Sequence, residues 1–324
     1  MKEALLYKKL TSPGGGPNKN VQCNACNHHC VILEGKRGIC GVRENQNGKL
    51  YSLVYGKIIA KHIDPIEKKP LYHFLPGTFS LSIATVGCNF RCLHCQNAEI
   101  SQFSPDRGPD PSRDYGRDKT PQQIVQDAID NKCPSISYTY TEPTVFVEFA
   151  LDCMKLAHDP EGLLPQSAGL QPGALGERAY GAGKGLKNIW VSNGYMTKEC
   201  LDLVGPYLDA INVDLKAFTE EFYQEVCGAR LQPVLDNLID IKKRGIHLEI
   251  TTLIIPGKND SEKELKGIAE FIKKELGDDV PWHVSRFFPY YKMMNVPPTP
   301  VAKILQAVEI GKEAGLKYVH AGNI

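Results

Sequence analysis

The sequence predicts an α/β protein, a parallel sheet wrapped by helices behind a cysteine-rich N-terminal region. Three observations predict it. From Phe79 onward, strand-like apolar runs alternate with helical runs in about six strand–helix units, fewer than the eight of a closed barrel. Of the 11 cysteines, seven fall into two clusters, Cys23 to Cys40 and Cys88 to Cys95. A single Gly- and Pro-rich stretch interrupts the alternation, between His158 and Lys187.

Residues 1–76 read as a cysteine-rich, metal-binding extension. Within it Lys49–Ala60 alternates like a strand, and Asp64–Gly77 leads into the core, which spans 77–324. Phe79–Val86 reads as a buried strand that stops at Gly87. Thr120-Pro121-Gln122 opens a helix running to about Asn131, with a capping hydroxyl and Pro at the first helical position. Ser135–Tyr140 is a strand, and Pro143–His158 a helix with Val147, Ala150, Leu151 and Met154 at helical spacing. Asn188–Ser192 is a strand, followed by a helix opening at Thr197. Asp209–Leu215 is a strand, followed by helices over Thr219–Cys227 and Pro233–Arg244. Strand His247–Ile255, helix Ser261–Leu276, strand Trp282–Phe288, helix Thr299–Ala314 and strand Leu316–His320 complete the chain. Helix-to-strand returns take about 2–6 residues. The longer stretch over 159–184 therefore reads as a flexible insertion at the strands' N-terminal end.

Lys+Arg is 38 and Asp+Glu is 37, a net charge of +1, so no global basic field draws the chain to nucleic acid or an anionic membrane. No apolar run approaches the roughly 20 residues that span a bilayer. The N-terminus lacks a signal peptide's apolar stretch and cleavage site, so a cytoplasmic location is expected. In a reducing compartment, clustered cysteines point to metal or redox chemistry rather than disulfides. Cys133, Cys153, Cys200 and Cys227, scattered through helices or their ends, read as small buried hydrophobes.

Cys88, Cys92 and Cys95 form a C-x3-C-x2-C run on a loop just past a strand's C-terminal end, where barrel enzymes keep their chemistry. Iron–sulfur clusters are usually held by four cysteines. A [4Fe–4S] cluster held by three leaves one iron open to a small molecule. Structural cysteines, or a zinc knuckle completed by His94, are the plainer readings, but three thiolates within eight residues of one loop suit a cluster better.

This arrangement resembles the radical S-adenosylmethionine (SAM) superfamily. The resemblance implies a partial (β/α)6 TIM-like barrel of the radical SAM type with an N-terminal Cys-rich extension. It also implies that SAM chelates the open iron and is cleaved to a 5′-deoxyadenosyl radical. Four further positions match what such enzymes use. Thr141-Glu142-Pro143 stands where many members carry Gly-Gly-Glu-Pro, at the SAM amino group, though Tyr140-Thr141 replaces the glycines. Ser192-Asn193-Gly194 resembles the ribose-side segment of glycyl-radical-enzyme activases, with Val191 replacing an acid. Asp214-Leu215-Lys216 matches their Asp-x-Lys element, whose Lys meets the SAM carboxylate; a buried salt bridge is the plainer alternative. On the stretch from His283, where activases place a His toward the adenosine, His283 and Arg286 are the substitutes. Leu253–Gly257 would offer apolar and backbone contacts to adenine.

Upstream, Cys23-x2-Cys26-x3-Cys30 followed by Cys40 could close a structural zinc site or an auxiliary [4Fe–4S] cluster, with His28 and His29 as alternative zinc ligands. Together, the segments Cys23–Arg43, Gly87–Asn97, Ser137–Pro143 and Ser285–Met294 resemble the radical SAM enzyme of the AmmeMemoRadiSam system, a group close to pyruvate formate-lyase-activating enzymes. Two departures stand out. Phe288 replaces the His of Ser-Arg-Phe-His-Pro, and the chain ends at Ile324 where members commonly continue into a Cys-x2-Cys tail. The resemblance implies a radical SAM oxidoreductase that abstracts hydrogen from a protein or peptide. It implies a low-potential ferredoxin or flavodoxin as electron donor and Memo-like and AMMECR-like proteins as partners. A non-catalytic zinc or iron–sulfur adaptor is the alternative, and a nucleic-acid modifier is disfavoured by the neutral charge.

Overall fold

The computed structural model describes residues 1–11, 19–102, 115–160 and 185–324. From residue 161 on, the insertion expected over 159–184 lies outside them. An eight-stranded sheet organises the chain: β1 (Ala60–Pro65), β2 (Phe79–Ala84), β3 (Ser135–Tyr138), β4 (Lys187–Ser192), β5 (Ala210–Asp214), β6 (His247–Ile254), β7 (Trp282–Arg286) and β8 (Val319–Gly322). The strands lie side by side in chain order. All neighbours from β2 to β8 are parallel, and β1 pairs antiparallel with β2. The two edges do not pair, so this is a partial barrel. Six strand–helix units from β2 to β7 precede the last strand, in agreement with the rhythm in the sequence.

Among the described residues the α-helices longer than one turn are α1 (Pro121–Asp130), α2 (Val147–His158), α3 (Lys198–Val204), α4 (Gln232–Lys243), α5 (Glu262–Phe271) and α6 (Val301–Glu313). Local chemistry sets where they start. Thr120 and Gln123 close a reciprocal capping box on α1, while the Thr197 and Ser261 hydroxyls accept the Cys200 and Glu264 N–H groups ahead of α3 and α5. The strands are buried on both faces, as a helix-covered parallel sheet requires: every residue of β3 is buried, and so are five of the six in β2. Trp190, Trp282, Tyr138, Tyr195 and Tyr223 are the largest apolar groups of this core.

The Lys49–Ala60 alternation resolves into Lys49–Ser52, Lys57–Ile58 and the start of β1. Lys49–Ser52 joins Lys2–Glu3 and Arg43–Gln46, while Tyr7–Lys9, Val21–Cys23 and Val31–Ile32 make a second small sheet. Ala4, Val21, Ala25, Ile32 and Leu50 form their shared apolar core. This region is fastened to the sheet's C-terminal end. Cys26 bridges Met196, the Thr197 hydroxyl donates to the Asn24 carbonyl at 2.6 Å, and Arg43 pairs with Glu148 of α2 at 2.7 Å with both side chains buried.

At the opposite end of the strands, Glu249 of β6 is fully buried and gathers four donors. His247 and His283 lie at 2.9 and 2.7 Å, and the N–H groups of His73 and Tyr72 at 2.9 and 3.0 Å. These bonds pin the segment before β2 beneath the sheet. Burial alone would raise the Glu249 carboxyl, but the donors outweigh it and hold it at about 2, below its ordinary 4.5. A depressed carboxyl contributes stability that is complete above its unfolded value and is lost as pH falls. Glu249→Gln should therefore flatten the loss of urea stability between pH 4.5 and about 2; an unchanged acid limb would show that the donors do not favour the charged form.

Candidate active site

β2 ends at Ala84, and the chain turns at Gly87 with φ 95°. A Cβ on Gly87 would stand 2.7 Å from Val42 and 2.9 Å from the Cys40 carbonyl oxygen, so only glycine lets the loop lie against the N-terminal region. The Gly87 N–H donates to the Ile100 carbonyl at 2.8 Å and closes the loop around its three cysteines. Elsewhere backbone bonds clip the loop down: Arg91 N–H to the Cys227 carbonyl at 2.7 Å, and Leu93 N–H to the Val226 carbonyl at 3.0 Å. Buried Phe90 wedges between the Tyr195 and Tyr223 rings.

Each thiol then has its own surroundings. Cys88 Sγ accepts the Phe90 N–H at 3.4 Å, and Cys95 Sγ lies 3.1 Å from the Ser101 hydroxyl. Cys92 shares a hydrogen bond with Cys227, which lowers the Cys92 thiol, while burial raises Cys227. Burial, then the nearby Glu142 carboxylate, pushes Cys88 up. Lys216 supplies the positive charge beside this loop. Burial opposes that charge, but Asp214, Cys92 and Cys227 outweigh it and hold the ammonium well above the usual lysine range. Lys216 Nζ lies 2.9 Å from Asp214 Oδ2. His94 is buried, its Nδ1 has no partner, and burial followed by the Lys216 charge holds its ring neutral down to about 3.

Glu142, just past β3, ties the strand ends together. Its carboxylate accepts the Ser192 hydroxyl at 2.9 Å, the Asn193 N–H at 2.9 Å, and the Thr144 hydroxyl and N–H at 2.6 and 3.1 Å. Asn193 continues the chain of bonds: its Nδ2 donates to Asn89 Oδ1 at 2.7 Å, in the residue after Cys88. The Thr141 hydroxyl donates to the Thr85 carbonyl at 2.8 Å, and Tyr140, at φ 64°, donates its hydroxyl to Asp64. Asn259, past β6, ties the loop after β5 to the end of β6, donating to the Lys216 and Leu253 carbonyls at 2.6 and 2.8 Å.

Thus Cys88, Cys92, Cys95, Glu142, Ser192, Asn193, Asp214 and Lys216 all come to the C-terminal ends of parallel strands. Arg286 ends β7 there too, its Nε donating to the Thr299 carbonyl at 2.6 Å and its guanidinium lying over Phe288. His283 does not join them. It is the second residue of β7 and is consumed by Glu249 toward the other end. Asn89, Thr144, Asn259 and Cys227 were not legible as site residues in the sequence. Only Asn89, adjacent to Cys88, carried a local signal. Cys227 reaches Cys92 because the chain after β5 closes in a π-turn, Tyr223–Cys227, which apolar periodicity does not reveal.

In the N-terminal region, Cys23, Cys26, Cys30 and Cys40 line one pocket together with His28, Arg43 and Asn89. His28 Nε2 lies 2.8 Å from the Asn89 carbonyl. The four thiols are all pushed up, burial being the largest cause in each. Among the described residues, no three His, Cys, Asp or Glu side chains are gathered around a single point as one ion would require.

The residues on the Cys88 loop fit an iron–sulfur cluster. They offer three sulfur donors on one loop, the half-buried Lys216 cation beside them, and an apolar wall including Phe90. No described helix is long and apolar enough to cross a membrane.

A model of the radical SAM superfamily matches residues 82–272. Over its whole length the chain is 45% identical to an uncharacterised protein of Methanocaldococcus jannaschii, spanning 86% of it. A second protein of that organism, provisionally named a glycyl-radical enzyme activating enzyme, is 25% identical over 243 residues, 74% of this chain and 78% of the other. Among solved structures, a radical SAM methyltransferase from Sphaerobacter thermophilus superposes with a TM-score of 0.51 at 14% identity, covering 76% of this chain and 67% of that one, a likeness of fold. Strand order, three-thiol loop and sequence match agree, and the chain belongs to the radical SAM superfamily.

Proposed function

We propose that this protein is a radical SAM enzyme of the AmmeMemoRadiSam type that removes a hydrogen atom from a protein or peptide substrate, as glycyl-radical activases do. The observation that carries this reading is the three-thiol loop, with Lys216 beside it, at the mouth formed by the parallel strands. When bound, a [4Fe–4S] cluster supplies the electron that splits SAM and so provides the 5′-deoxyadenosyl radical. Cys88, Cys92 and Cys95 hold that cluster. Lys216, kept charged by Asp214, binds the SAM carboxylate. Ser192 and Asn193 present polar groups toward the ribose. Glu142 acts as a positioning residue, because its oxygens already accept four donors from Thr144, Ser192 and Asn193. Thr141 likewise spends its hydroxyl on Thr85, and its part is to hold the loop. Arg286 faces the adenosine side.

The N-terminal cysteines hold a second metal centre. The electron donor is a low-potential ferredoxin or flavodoxin, the setting is cytoplasmic, and Memo-like and AMMECR-like proteins are the first substrates to try. Membership of an enzyme superfamily does not favour the adaptor alternative. The test is an anaerobic reaction of reconstituted, reduced protein with SAM and each candidate partner carrying deuterated residues. Deuterium in the 5′-deoxyadenosine would identify the substrate. No 5′-deoxyadenosine from a loaded, reducible protein would refute the enzymatic reading.

A further inference from the structure

The pocket in the N-terminal region carries more than four thiols. Two of its walls are polar side chains that are almost wholly buried, Arg43 and Asn89, each 1% exposed. Arg43 spends one terminal nitrogen, Nη2, on Glu148 at 2.7 Å, but its Nε and Nη1 have no partner. The Nδ2 of Asn89 also has none. Buried N–H groups without acceptors cost about 1–3 kcal/mol each, and native proteins leave few. Here several line one pocket whose other walls are sulfur and apolar groups, together with His28, bonded to the Asn89 carbonyl, and Thr144, whose hydroxyl is spent on Glu142. Gly38 lines the pocket as well, and a Cβ there would stand 3.6 Å from Cys30 Sγ and 3.1 Å from Ile32.

A single zinc ion would draw four thiolates to one point, with Zn–S distances of about 2.3 Å. The four thiols instead stand around the pocket, with no three of them gathered at a common point. An iron–sulfur cluster suits that arrangement. Its cysteine ligands sit at the corners of a body rather than around a point, and its sulfides accept N–H donors such as those of Arg43 and Asn89.

We propose that Cys23, Cys26, Cys30 and Cys40 ligate a second iron–sulfur cluster, with Arg43 and Asn89 donating to its sulfurs. Asn89 makes this centre a neighbour of the first: it follows Cys88 in sequence, accepts from Asn193, and lines the second pocket. The second cluster is reducible by one electron from an external low-potential donor. The inference does not depend on the hydrogen-abstraction reading, since it concerns occupancy alone.

The test uses the full chain, reconstituted anaerobically with iron and sulfide, and a variant with Cys88, Cys92 and Cys95 all replaced by alanine. Wild type should bind about eight iron atoms, and the variant about four with matching sulfide. After dithionite reduction the variant should give a paramagnetic signal that added SAM leaves unchanged. One zinc and no iron in the variant would overturn the proposal, as would no metal in a variant that keeps its circular dichroism. Should the variant not fold, wild type is compared with a chain carrying alanine at Cys23, Cys26, Cys30 and Cys40: about four fewer iron atoms supports the proposal, and an equal count overturns it. Loss of the radical SAM site alone reads differently, as about four iron atoms in wild type and in the variant at Cys88, Cys92 and Cys95 alike.

Discussion

Alanine at Cys88, Cys92 or Cys95 is expected to abolish SAM cleavage and remove the iron held on that loop. A cluster with an open iron has only three protein thiolates to begin with, so losing one leaves two, too few to retain it. The fold should survive, because the loop is held by its backbone: Gly87 to Ile100, Arg91 to Cys227 and Leu93 to Val226. Alanine at His94 separates this account from a zinc knuckle. His94 is buried with an unpaired Nδ1, and no hydrogen bond ties it to the thiols. The iron held on this loop should be retained in His94→Ala and lost in the cysteine variants, whatever the N-terminal cysteines bind. The reverse pattern, or equal loss of one zinc ion in all four, would show that the loop holds a mononuclear site.

Glu142→Ala should be nearly as damaging by a different route. The carboxylate is buried and accepts from Ser192, from Asn193 and twice from Thr144. Removing it leaves these donors facing a cavity, and about 3 kcal/mol of stability should be lost, given about 1–3 kcal/mol for a buried group left unpaired. Urea unfolding of the metal-free chain measures that loss. The Asn193 N–H would lose its acceptor, so SAM binding should weaken in the loaded protein even where the fold persists. Glu142→Gln keeps the shape but turns an N–H toward other N–H groups, and should fall between alanine and wild type. Full stability in the alanine variant would mean that the loops after β3 and β4 hold themselves without this carboxylate.

Much of this architecture could be read from the chain because its signals are local. Apolar runs of strand length, alternating with helical runs, pointed to a parallel sheet wrapped by helices. Cysteine spacing marked both sulfur clusters, and Glu142-Pro143 and Asp214-x-Lys216 announced themselves by sitting at strand ends. What stayed hidden depends on the third dimension. The alternation over Lys49–Ala60 looked like one strand, yet the chain turns at Gly56, where a Cβ would stand 2.8 Å from the Lys119 carbonyl oxygen. The antiparallel edge strand β1 therefore starts later than the pattern suggested. His283 sits in the right strand for a SAM contact but at its wrong end, and only the pairing of β6 with β7 shows that Glu249 captures it. Cys227 looked like filler until the π-turn brought it to Cys92. Glu142 was read as a ligand-facing group; its four internal donors make it the clasp that sets Ser192 and Asn193 in place.

The most direct test of the account concerns the open iron itself. Protein loaded anaerobically, reduced by one electron, and given SAM labelled with nitrogen-15 in its amino group should be examined by electron–nuclear double resonance. The account predicts a strong nitrogen coupling, meaning that the amino group is bound to iron, and its loss in Cys92→Ala. A reduced cluster whose spectrum carries no label coupling and does not respond to SAM would contradict it.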